Sequence, residues 1–509
     1  MQLVAYGAQD AYLTSNPQIT FFKIVYRRHT NFALESIEQT FTGNASFGKS
    51  VTCTIARSGD LITKMYLRVS FDSFTATTGK WGWVSKLGHA LIREVELEIG
   101  GTRIDKQYGD WLNVWYELAR NFAQDRGYDK LIGNTPEMTN LSKTHGPSVL
   151  YVPLKFFCNR HDGLAIPLIA LQYHETKVNI KFRDLEECVI RTSNANLSNL
   201  SMGNASLFVD YVYLDSEERK RFAQAQHEYL IEQLQFSGAE SVTGSSYRTK
   251  LLYNHPCKAL YWTLRLSKYT SGKYFLAYNP HNFEKSREEA SKRLVLACAK
   301  YGVDGKLDLE NNKPKLNTNL PLALQNLINN TMVPVCLTGE PDVDDISFLG
   351  ELLTVEQMSK PVDELLNGFN DRPTAETNAG SALNDVRVIQ WDNYGLNLDR
   401  TVNPVNMVSL SLNGHDRLSK RDGSYFNYVQ PYQHHTNTPT DGLNMYSFAL
   451  NPEEHQPSGT CNFSRIDNAT LSLDFNQQVV GLDNSLCIYA TNYNVFRVLS
   501  GMGGLAYSS

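Results

Sequence analysis

The sequence predicts an all-β protein in which one β domain occurs twice. Three observations support this prediction: strand-like segments outnumber helical ones, a series of motifs recurs in the same order in both halves of the chain, and a helical segment separates the halves. The length of 509 residues is compatible with two large β domains, because all-β domains often reach about 200–250 residues.

The strand signals are short, partly alternating and rich in β-branched or aromatic residues. Residues 51–55, 65–69 and 178–182 are examples, and each has the length of one strand. The longest helical signal covers residues 216–232, where charged residues come first and apolar residues follow. We interpret this segment as a linker helix between the two halves.

The internal repeat is clearest where a strand runs into a two-residue turn. Residues 95–101 have the sequence VELEIGG, and residues 408–414 have the sequence VSLSLNG. Gly-Gly and Asn-Gly accept the positive φ angles of a type I′ turn. Both segments therefore predict a β-hairpin.

Further matches keep the same order along the chain. Gly-x-Trp-Leu-Asn at residues 109–113 corresponds to Gly-x-Tyr-Phe-Asn at 423–427, and Leu-Arg-Val at 67–69 corresponds to Leu-Arg-Leu at 264–266. The matched motifs are further apart in the second half, which predicts an insertion at about residues 267–407. Irregular backbone needs water to satisfy its polar groups, so we expect this insertion on an exposed face.

Residues 43–50 match the phosphate-binding pattern G-x-x-x-x-G-K-[ST], but the residues after them do not fit a nucleotide site. A P-loop continues into a helix whose N-terminal amides bind phosphate. Here residues 51–55 are a β-branched run that is typical of a strand. We therefore interpret residues 43–50 as a turn between strands.

The candidate ligands for a metal-dependent enzyme are poorly placed. A bicupin-like enzyme needs clustered ligands such as His-x-His, which the chain lacks, and the adjacent His434 and His435 would point to opposite faces of a strand. No Gly-x-Ser-x-Gly elbow occurs either. We predict a non-enzyme without catalytic, cofactor-binding or metal-binding residues. A double-β-domain enzyme and a carbohydrate-binding surface protein remain the alternatives.

An aromatic and basic segment at residues 19–29 is the main candidate for binding a partner. Its composition suits single-stranded nucleic acid, through stacking and charge, and it equally suits docking onto a protein. The net charge of −5 argues against a protein that wraps nucleic acid, so we favour docking. The residues selected for this role are Phe21, Phe22, Tyr26, Arg27 and Arg28.

The sequence predicts a soluble protein that is made in a reducing compartment. It has no recognisable secretory signal and no apolar stretch long enough to span a bilayer. The eight cysteines are scattered without a Cys-x-x-Cys pair, so we expect free, mostly buried thiols. Eight Asn-x-Ser/Thr sequons are interpreted mainly as polar turns, and they are also the glycosylation candidates: Asn44, Asn140, Asn196, Asn199, Asn204, Asn329, Asn462 and Asn468.

At several of these segments the sequence resembles the major capsid proteins of nucleocytoplasmic large DNA viruses, especially those that infect algae. The similar stretches include residues 3–10, 16–23, 165–175, 447–467 and 500–507. They cover both ends and both halves of the chain.

The resemblance implies an all-β fold of two tandem eight-stranded jelly rolls, with short helices in the loops and the linker. It also implies a homotrimer that forms a pseudo-hexagonal capsomer of an icosahedral virion, assembled in the cytoplasm of the host cell. We accordingly expect a docking segment at residues 1–30, jelly rolls at 31–215 and 233–509, and the linker helix at 216–232.

The same resemblance implies the partners. Besides other copies of the chain and neighbouring capsomers, these are minor capsid proteins on the inner face, where the five docking residues would lie, and an internal viral membrane close by. No direct contact with the genome is expected. The insertion would face outward. Because such proteins carry glycans at unusual asparagines, the sequons are a poor guide to glycan positions.

Overall fold

The structure is a computed structural model of the chain. The residues that the structure describes are 7–24, 26–139, 141–191, 195–267, 276, 278, 307–308, 313–314 and 403–507. Two similar pairs of antiparallel sheets account for most of them.

The first pair of sheets is formed by eight strands. They are β1 (Phe32–Thr40), β2 (Ser50–Thr54), β3 (Leu61–Phe71), β4 (Ile92–Ile99), β5 (Thr102–Tyr108), β6 (Ile166–Pro167), β7 (Thr176–Phe182) and β8 (Ala205–Leu214). One sheet has the order β1-β8-β3-β6 and the other the order β2-β7-β4-β5. The first and last strands of the unit are therefore neighbours, as in a jelly roll.

The second pair of sheets repeats this arrangement. Its strands are β9 (His227–Val242), β10 (Ser246–Lys250), β11 (Pro256–Arg265), β12 (Val405–Leu412), β13 (His415–Asp422), β14 (Leu443–Ser447), β15 (Ala469–Phe475) and β16 (Asn484–Leu499). The sheet orders are β9-β16-β11-β14 and β10-β15-β12-β13, which are the orders of the first unit strand for strand. The prediction of two tandem eight-stranded jelly rolls is confirmed.

Short accessory strands extend these sheets or form separate pairs. They are Phe74–Thr75, Trp81–Trp83, Thr144–His145, Ser148–Pro153, Val189–Arg191, Leu307–Asp308, Lys313–Pro314, Cys461–Asn462 and Met502–Leu505. Ser148–Pro153 pairs with β3 and lengthens the first sheet at one edge.

Each jelly roll has its own core between its two sheets. Along β7 and β15 every second side chain is buried, so that one face of the strand points inward and the other outward. Residues such as Leu67 and Ile180 belong to the first core, and Leu264 and Leu473 belong to the second. Burial of these alternating apolar faces is the main stabilising contribution to each roll.

The predicted hairpins are present at both copies of the repeat. Gly100 and Gly101 have φ angles of 59° and 80°, and Asn413 and Gly414 have φ angles of 52° and 81°. These turns join β4 to β5 and β12 to β13. Positive φ at both central residues defines the type I′ geometry, which confirms the interpretation.

The predicted linker helix is wrong in its second half. Helix α5 (Ser216–Gln224) starts at Asp215, whose carboxylate accepts a hydrogen bond of 2.9 Å from the backbone N–H of Glu218. The chain then enters β9 at His227, so the second jelly roll begins before residue 233. The apolar end of the segment pairs with β16 and buries Ile231. This cross-strand packing outweighs the helical propensity of the residues from His227 onward.

The other helices of five residues or more lie in the loops or before the first strand. They are α1 (Ala8–Thr14), α2 (Leu87–Leu91), α3 (Gly109–Ala119), α4 (Asp125–Ile132) and α6, which joins a π-helical turn (Tyr425–Val429) to Gln430–His434. Single turns of helix occur at Phe122–Gln124, Pro136–Thr139, Phe157–Arg160, Asp162–Leu164, Leu185–Cys188, Phe463–Arg465 and Gln477–Val479.

Most of the predicted insertion lies outside the described residues. Of its described residues, Leu276 and Tyr278 are buried. Asn113 donates a hydrogen bond of 3.3 Å to the hydroxyl of Tyr278, so this residue is in contact with the first jelly roll.

The P-loop-like segment is a turn between strands. Gly48 has a φ of 73°, and the chain continues from Lys49 directly into strand β2. Thr42 and Thr52 form an isolated antiparallel bridge on either side of the turn. The helix that a phosphate site requires does not follow Lys49, which confirms the interpretation from the sequence.

The matched glycines of the repeat have the same structural role. A Cβ on Gly109 would lie 2.1 Å from the carbonyl oxygen of His89 and 2.2 Å from that of Ile92. A Cβ on Gly423 would lie 2.0 Å from the carbonyl oxygen of Val405. In both rolls a helix therefore begins so close to backbone that no side chain fits.

We expect Gly109→Ala to destabilise the protein by about 1–3 kcal/mol, because the backbone must move to admit the methyl group. The matched control is Gly127→Ala. Gly127 is an exposed residue of α4 whose Cβ would meet nothing within 4 Å, so the alanine is expected to stabilise the helix by up to about 1 kcal/mol. Urea denaturation compares the two, and shifts of the same sign would contradict the prediction.

Candidate functional site

The two jelly rolls are joined by a helix-on-sheet interface. Helix α3 of the first roll packs on the outer face of the β9-β16-β11-β14 sheet of the second. The ring of Trp111 lies 5.1 Å from the ring of Tyr261 and 5.6 Å from the ring of Tyr489, between centroids. The apolar residues of this interface are Trp111, Val114, Trp115, Leu118, Ala259, Tyr261, Tyr278, Leu443, Met445, Cys487 and Tyr489.

A carboxylate at the start of α3 links the rolls by charge. One oxygen of Asp110 accepts a hydrogen bond of 3.0 Å from Arg183 of the first roll, and its other oxygen accepts one from Arg265 of the second. All three side chains are at least four-fifths buried. Charge-assisted hydrogen bonds in such a setting fix the relative orientation of the two elements.

A second charge cluster lies deeper in the same interface. Glu232 on β9 accepts hydrogen bonds from Lys258 on β11 and from Arg160 of the first roll. The side chain of Lys258 is 0% exposed and that of Glu232 is 7% exposed. Burial lowers the pKa of Lys258 to about 8, although Glu232 acts against this shift. Burial alone would raise the pKa of Glu232, but the two cations outweigh it and hold the pKa below its ordinary value.

Arg160 also connects this cluster to the aromatic residues of α3. Its guanidinium lies 4.0 Å above the centroid of the Trp115 ring, which is a cation–π contact. Trp115 is 6% exposed. The aromatic and ionic parts of the interface therefore form one continuous contact region between the rolls.

The predicted docking segment is a highly exposed part of the chain. Helix α1 contains no buried residue, and the exposed fractions of Phe21, Phe22 and Tyr26 are 87%, 99% and 79%. Arg27 and Arg28 are exposed as well. The structure thus places all five predicted residues at the surface. Aromatic side chains this exposed are unusual in a monomeric surface and are typical of interaction sites.

The structure reveals a second exposed apolar surface that the sequence reasoning missed. On helix α6, Tyr428 and Val429 are each 40% exposed and Tyr432 is 82% exposed. The signal that could have found it is the repeat itself, because α6 begins at the motif that matches the start of α3.

The sequons of the described residues lie at the surface. Asn44, Asn196, Asn199, Asn204, Asn462 and Asn468 are exposed, whereas Asn140 and Asn329 are outside the described residues. The side chains of Asn196 and Asn462 each accept a hydrogen bond from the backbone N–H two residues later, at 3.1 Å. Such short-range bonds are typical of polar turns.

The residues considered for metal or redox chemistry have structural contacts. His435 and Glu453 form a hydrogen bond of 2.7 Å, and His434 contacts the carbonyl oxygen of Leu450. Within the described residues, no group of three or more His, Cys, Asp or Glu side chains is arranged to hold a metal ion. The six described cysteines are free thiols, and only Cys461 is partly exposed. Among the described helices, none combines the length and apolar character that crossing a bilayer requires.

Comparison with known families matches nearly the whole chain. Residues 20–215 match the family described as major capsid protein N-terminus. Residues 218–504 match the family described as large eukaryotic DNA virus major capsid protein. The two matches meet near the start of helix α5.

Curated relatives extend over the full length. Capsid protein 1 of Acanthamoeba polyphaga mimivirus is 42% identical over 596 aligned residues, which cover 100% of this chain and 99% of the relative. The major capsid protein of Phaeocystis pouchetii virus is 43% identical over 557, and that of Paramecium bursaria Chlorella virus 1 is 37% identical over 534, with the same shares covered.

Solved structures share the fold. The crystal structure of PBCV-1 VP54 superposes with a TM-score of 0.65 and 33% identity, covering 96% of this chain and 100% of that one. The Faustovirus major capsid protein superposes with a TM-score of 0.62 at 10% identity, covering 97% and 94% of the two chains. At that identity the second match supports the fold alone.

Proposed function

The chain belongs to the family of large eukaryotic DNA virus major capsid proteins, and we propose that three copies of it form a pseudo-hexagonal capsomer. As a capsid protein it is a structural component of the virion shell. The observation that carries the proposal is the duplication, because the two jelly rolls have the same eight-strand order. Three copies then supply six similar units, which can tile a flat facet.

The buried interface between the rolls supports this arrangement. A helix packed on a sheet, together with two charge clusters, holds the rolls in one relative orientation. Fixed geometry within each subunit is what a repeating shell needs, since an error in orientation would be repeated at every position. The ring closes by rotational symmetry, as in most homo-oligomers.

The experiment that tests the trimer is light scattering coupled to gel filtration over a range of concentrations. A mass near three times 57.5 kDa is the expected result. Permanent interfaces commonly bury about 2,000–5,000 Å², so the trimer is expected to persist on dilution. A chain that stays monomeric at every concentration would overturn the proposal.

We further propose that residues 1–30 dock on the inner side of the shell, against minor capsid proteins or close to an internal membrane. The exposed aromatics of this segment support docking, because their burial against a partner would stabilise the complex. The basic Arg27 and Arg28 would pair with carboxylates or with anionic head groups. Neighbouring capsomers are the remaining partners.

Replacing Phe21 and Phe22 together by alanine is expected to leave the trimer intact and to reduce the incorporation of capsomers into shells by roughly tenfold or more. The reason is that truncating a buried aromatic at an interface often costs more than about 1 kcal/mol, and about 1.4 kcal/mol is a tenfold change in affinity. The measurement is the fraction of subunits recovered in particles. Leu252→Ala, at a residue that is 69% exposed in the second roll, is the control. Equal incorporation of both variants would contradict docking.

We also propose that the protein has no catalytic activity, binds no cofactor and does not contact the genome directly. The net charge of −5 and the family membership support this. We propose assembly in the cytoplasm of the infected cell, and the six described, exposed sequon asparagines as glycosylation candidates, with Asn140 and Asn329 retained from the sequence alone.

A further inference from the structure

We propose that the first jelly roll forms a covalent cross-link within itself: an amide bond between the side-chain nitrogen of Lys86 and the side-chain carbonyl carbon of Asn113, with Glu117 as the catalytic carboxylate. The bond joins the residue before helix α2 to helix α3. It is a single modification of the chain by its own residues and not the turnover of a substrate. It does not depend on the proposed trimer.

The three groups that this chemistry needs are in direct contact. The Nζ of Lys86 donates a hydrogen bond of 3.0 Å to the Oδ1 of Asn113 and a second one to a carboxylate oxygen of Glu117. Asn113 and Glu117 are four residues apart on α3, so they lie on the same face of the helix. An amine, the carbonyl group it attacks and a proton acceptor are therefore already held together, which removes much of the entropic cost of the reaction.

The site is closed to water. Lys86, Asn113 and Glu117 are 7%, 1% and 1% exposed. Transfer of one proton along the hydrogen bond from Lys86 to Glu117 converts the ion pair into a neutral amine and a carboxylic acid, without bringing any charge into or out of the buried site. Only the neutral amine has the free electron pair that can attack a carbonyl carbon. The reactive form is thus reached by a single local step.

The remaining atoms of the site also suit the reaction. The Nδ2 of Asn113, which is the leaving group, donates a hydrogen bond of 3.3 Å to the hydroxyl of Tyr278. This contact holds the amide with its oxygen toward Lys86. The second carboxylate oxygen of Glu117 is buried and has no hydrogen-bond partner among the described residues. Such an oxygen is uncommon in a folded protein, and here it is available for the proton that moves during the reaction.

His89 is a further buried base beside the site, and it does not compete for the proton. It is 0% exposed, and its Nε2 lies 2.8 Å from the hydroxyl of Tyr128. Burial, together with the nearby cations Lys86 and Lys155, lowers the pKa of His89 to about 3. The imidazole is therefore neutral at neutral pH and a poor proton acceptor, which leaves this role to Glu117.

The reaction balances without an added reagent. Lys86 gives a proton to Glu117, and the neutral Nζ attacks the Cγ of Asn113, so that the Nζ–Cγ bond forms. The Cγ–Nδ2 bond then breaks as Glu117 gives its proton to Nδ2 and takes one from Nζ. The products are a secondary amide and one molecule of ammonia, and nothing is oxidised or reduced. Ammonia leaves with the last proton as ammonium, which restores the carboxylate of Glu117.

The backbone at Lys86 is unusual for a lysine. Its φ of 55° lies in the left-handed region, which residues other than glycine adopt at a cost. Its N–H donates a hydrogen bond of 3.3 Å to the Oδ1 of Asn134, which holds this conformation. Strained backbone of this kind occurs where a structure keeps a residue in a functional position. It supports a role beyond that of an ordinary ion pair.

Two other sites in the chain contain only part of this arrangement. Asn427 matches Asn113 in the repeat, but its Oδ1 accepts a hydrogen bond of 2.9 Å from the backbone N–H of Gly442 instead of from an amine. Lys258 is buried, but it donates its hydrogen bond to the carboxylate of Glu232 and not to an amide. We expect neither residue to react, so both serve as internal controls.

The test is mass spectrometry of the purified full-length chain. The intact mass under denaturing conditions is expected to be lower than the sequence mass by one molecule of ammonia. Trypsin cleaves after free lysine but not after a lysine in an amide bond. The digest is therefore expected to contain a branched peptide that joins residues 81–93 to residues 107–120. The peptides that contain Asn427 and Lys258 are expected to be linear.

Variants test the role of each group. Lys86→Arg keeps a cation beside Glu117 but removes the nucleophile, because a guanidinium is not deprotonated in proteins. It is expected to show the full sequence mass and to melt several degrees lower, since the bond closes a loop across 27 positions and constrains the unfolded chain. Glu117→Gln is also expected to show the full mass. Lys220→Arg, at a lysine whose side chain is 71% exposed, is the control and is expected to keep the deficit.

The outcomes are decided by the parent chain, whether or not the variants fold. A parent with the full sequence mass overturns the cross-link and leaves Lys86 and Glu117 as a buried ion pair. A mass deficit without the branched peptide overturns it as well, because a change elsewhere then accounts for the lost ammonia. A branched peptide in Glu117→Gln overturns the role of the carboxylate. None of these results bears on the trimer, which light scattering measures separately.

Discussion

Glu232→Gln is expected to lower the free energy of unfolding by about 3–5 kcal/mol, the cost typical of removing one partner from a buried ion pair. The reason is that Lys258, which is 0% exposed, loses the carboxylate that opposes the lowering of its pKa by burial. Arg160 loses the same partner. The glutamine has nearly the same shape, so the effect is one of charge and not of packing. Urea denaturation at neutral pH measures the difference.

The control lies on the same strand. Glu228 on β9 pairs with Arg497, and their side chains are 59% and 51% exposed. Glu228→Gln is expected to change the free energy of unfolding by at most about 1 kcal/mol, since exposed pairs contribute little. Similar losses for the two variants would contradict a special role for the buried cluster.

The pH dependence follows from the direction of the Glu232 pKa. Its pKa is lowered in the folded state from the ordinary value of 4.5. The carboxylate therefore contributes stability that is present above pH 4.5 and is lost as the pH falls through the lower, folded pKa. The difference between parent and Glu232→Gln that is due to this carboxylate is expected to shrink as the pH falls below 4.5.

The features that the sequence predicted correctly are those determined by local chemistry. The hairpins at Gly100-Gly101 and Asn413-Gly414 are examples, because few residues accept positive φ at two consecutive positions. The duplication could be recognised because each such turn is followed by the same glycine-initiated helix. The name of the fold came from family resemblance, and the strand order then confirmed it.

The features that the sequence did not predict depend on contacts between distant segments. The linker helix ends at Gln224 because the following residues pair with β16, more than two hundred residues later in the chain. Lys258 gives a partial signal, since a lysine in a strand of otherwise mostly apolar residues suggests a buried partner. That the partner is Glu232 follows only from the fold.

The dependence on contacts between distant segments also explains why only one of the two exposed surfaces was predicted from the sequence. The docking segment could be selected from composition, because its aromatic and basic residues are consecutive. The exposed face of α6 could not be selected from composition, because its apolar residues are spaced along a helix and resemble those of a buried helix. Their exposure becomes meaningful only when α3 is seen to be covered at the same positions.

Trp111→Ala is the second change with a large expected effect, a loss of about 3–5 kcal/mol. The indole is 3% exposed and lies between the rings of Tyr261 and Tyr489. Its removal leaves a cavity in an interface between the rolls, which also contact each other where Ile231, Phe496 and Val498 of the second roll pack into the core of the first. We therefore expect the unfolding temperature measured by calorimetry to fall.

The control for Trp111→Ala is Tyr425→Ala, at the matching position of α6. Tyr425 is partly buried and packs against the core of its own roll, so its replacement is expected to cost less than Trp111→Ala. If Trp111→Ala lowers the unfolding temperature by no more than Tyr425→Ala does, then α3 does not contribute to the contact between the rolls.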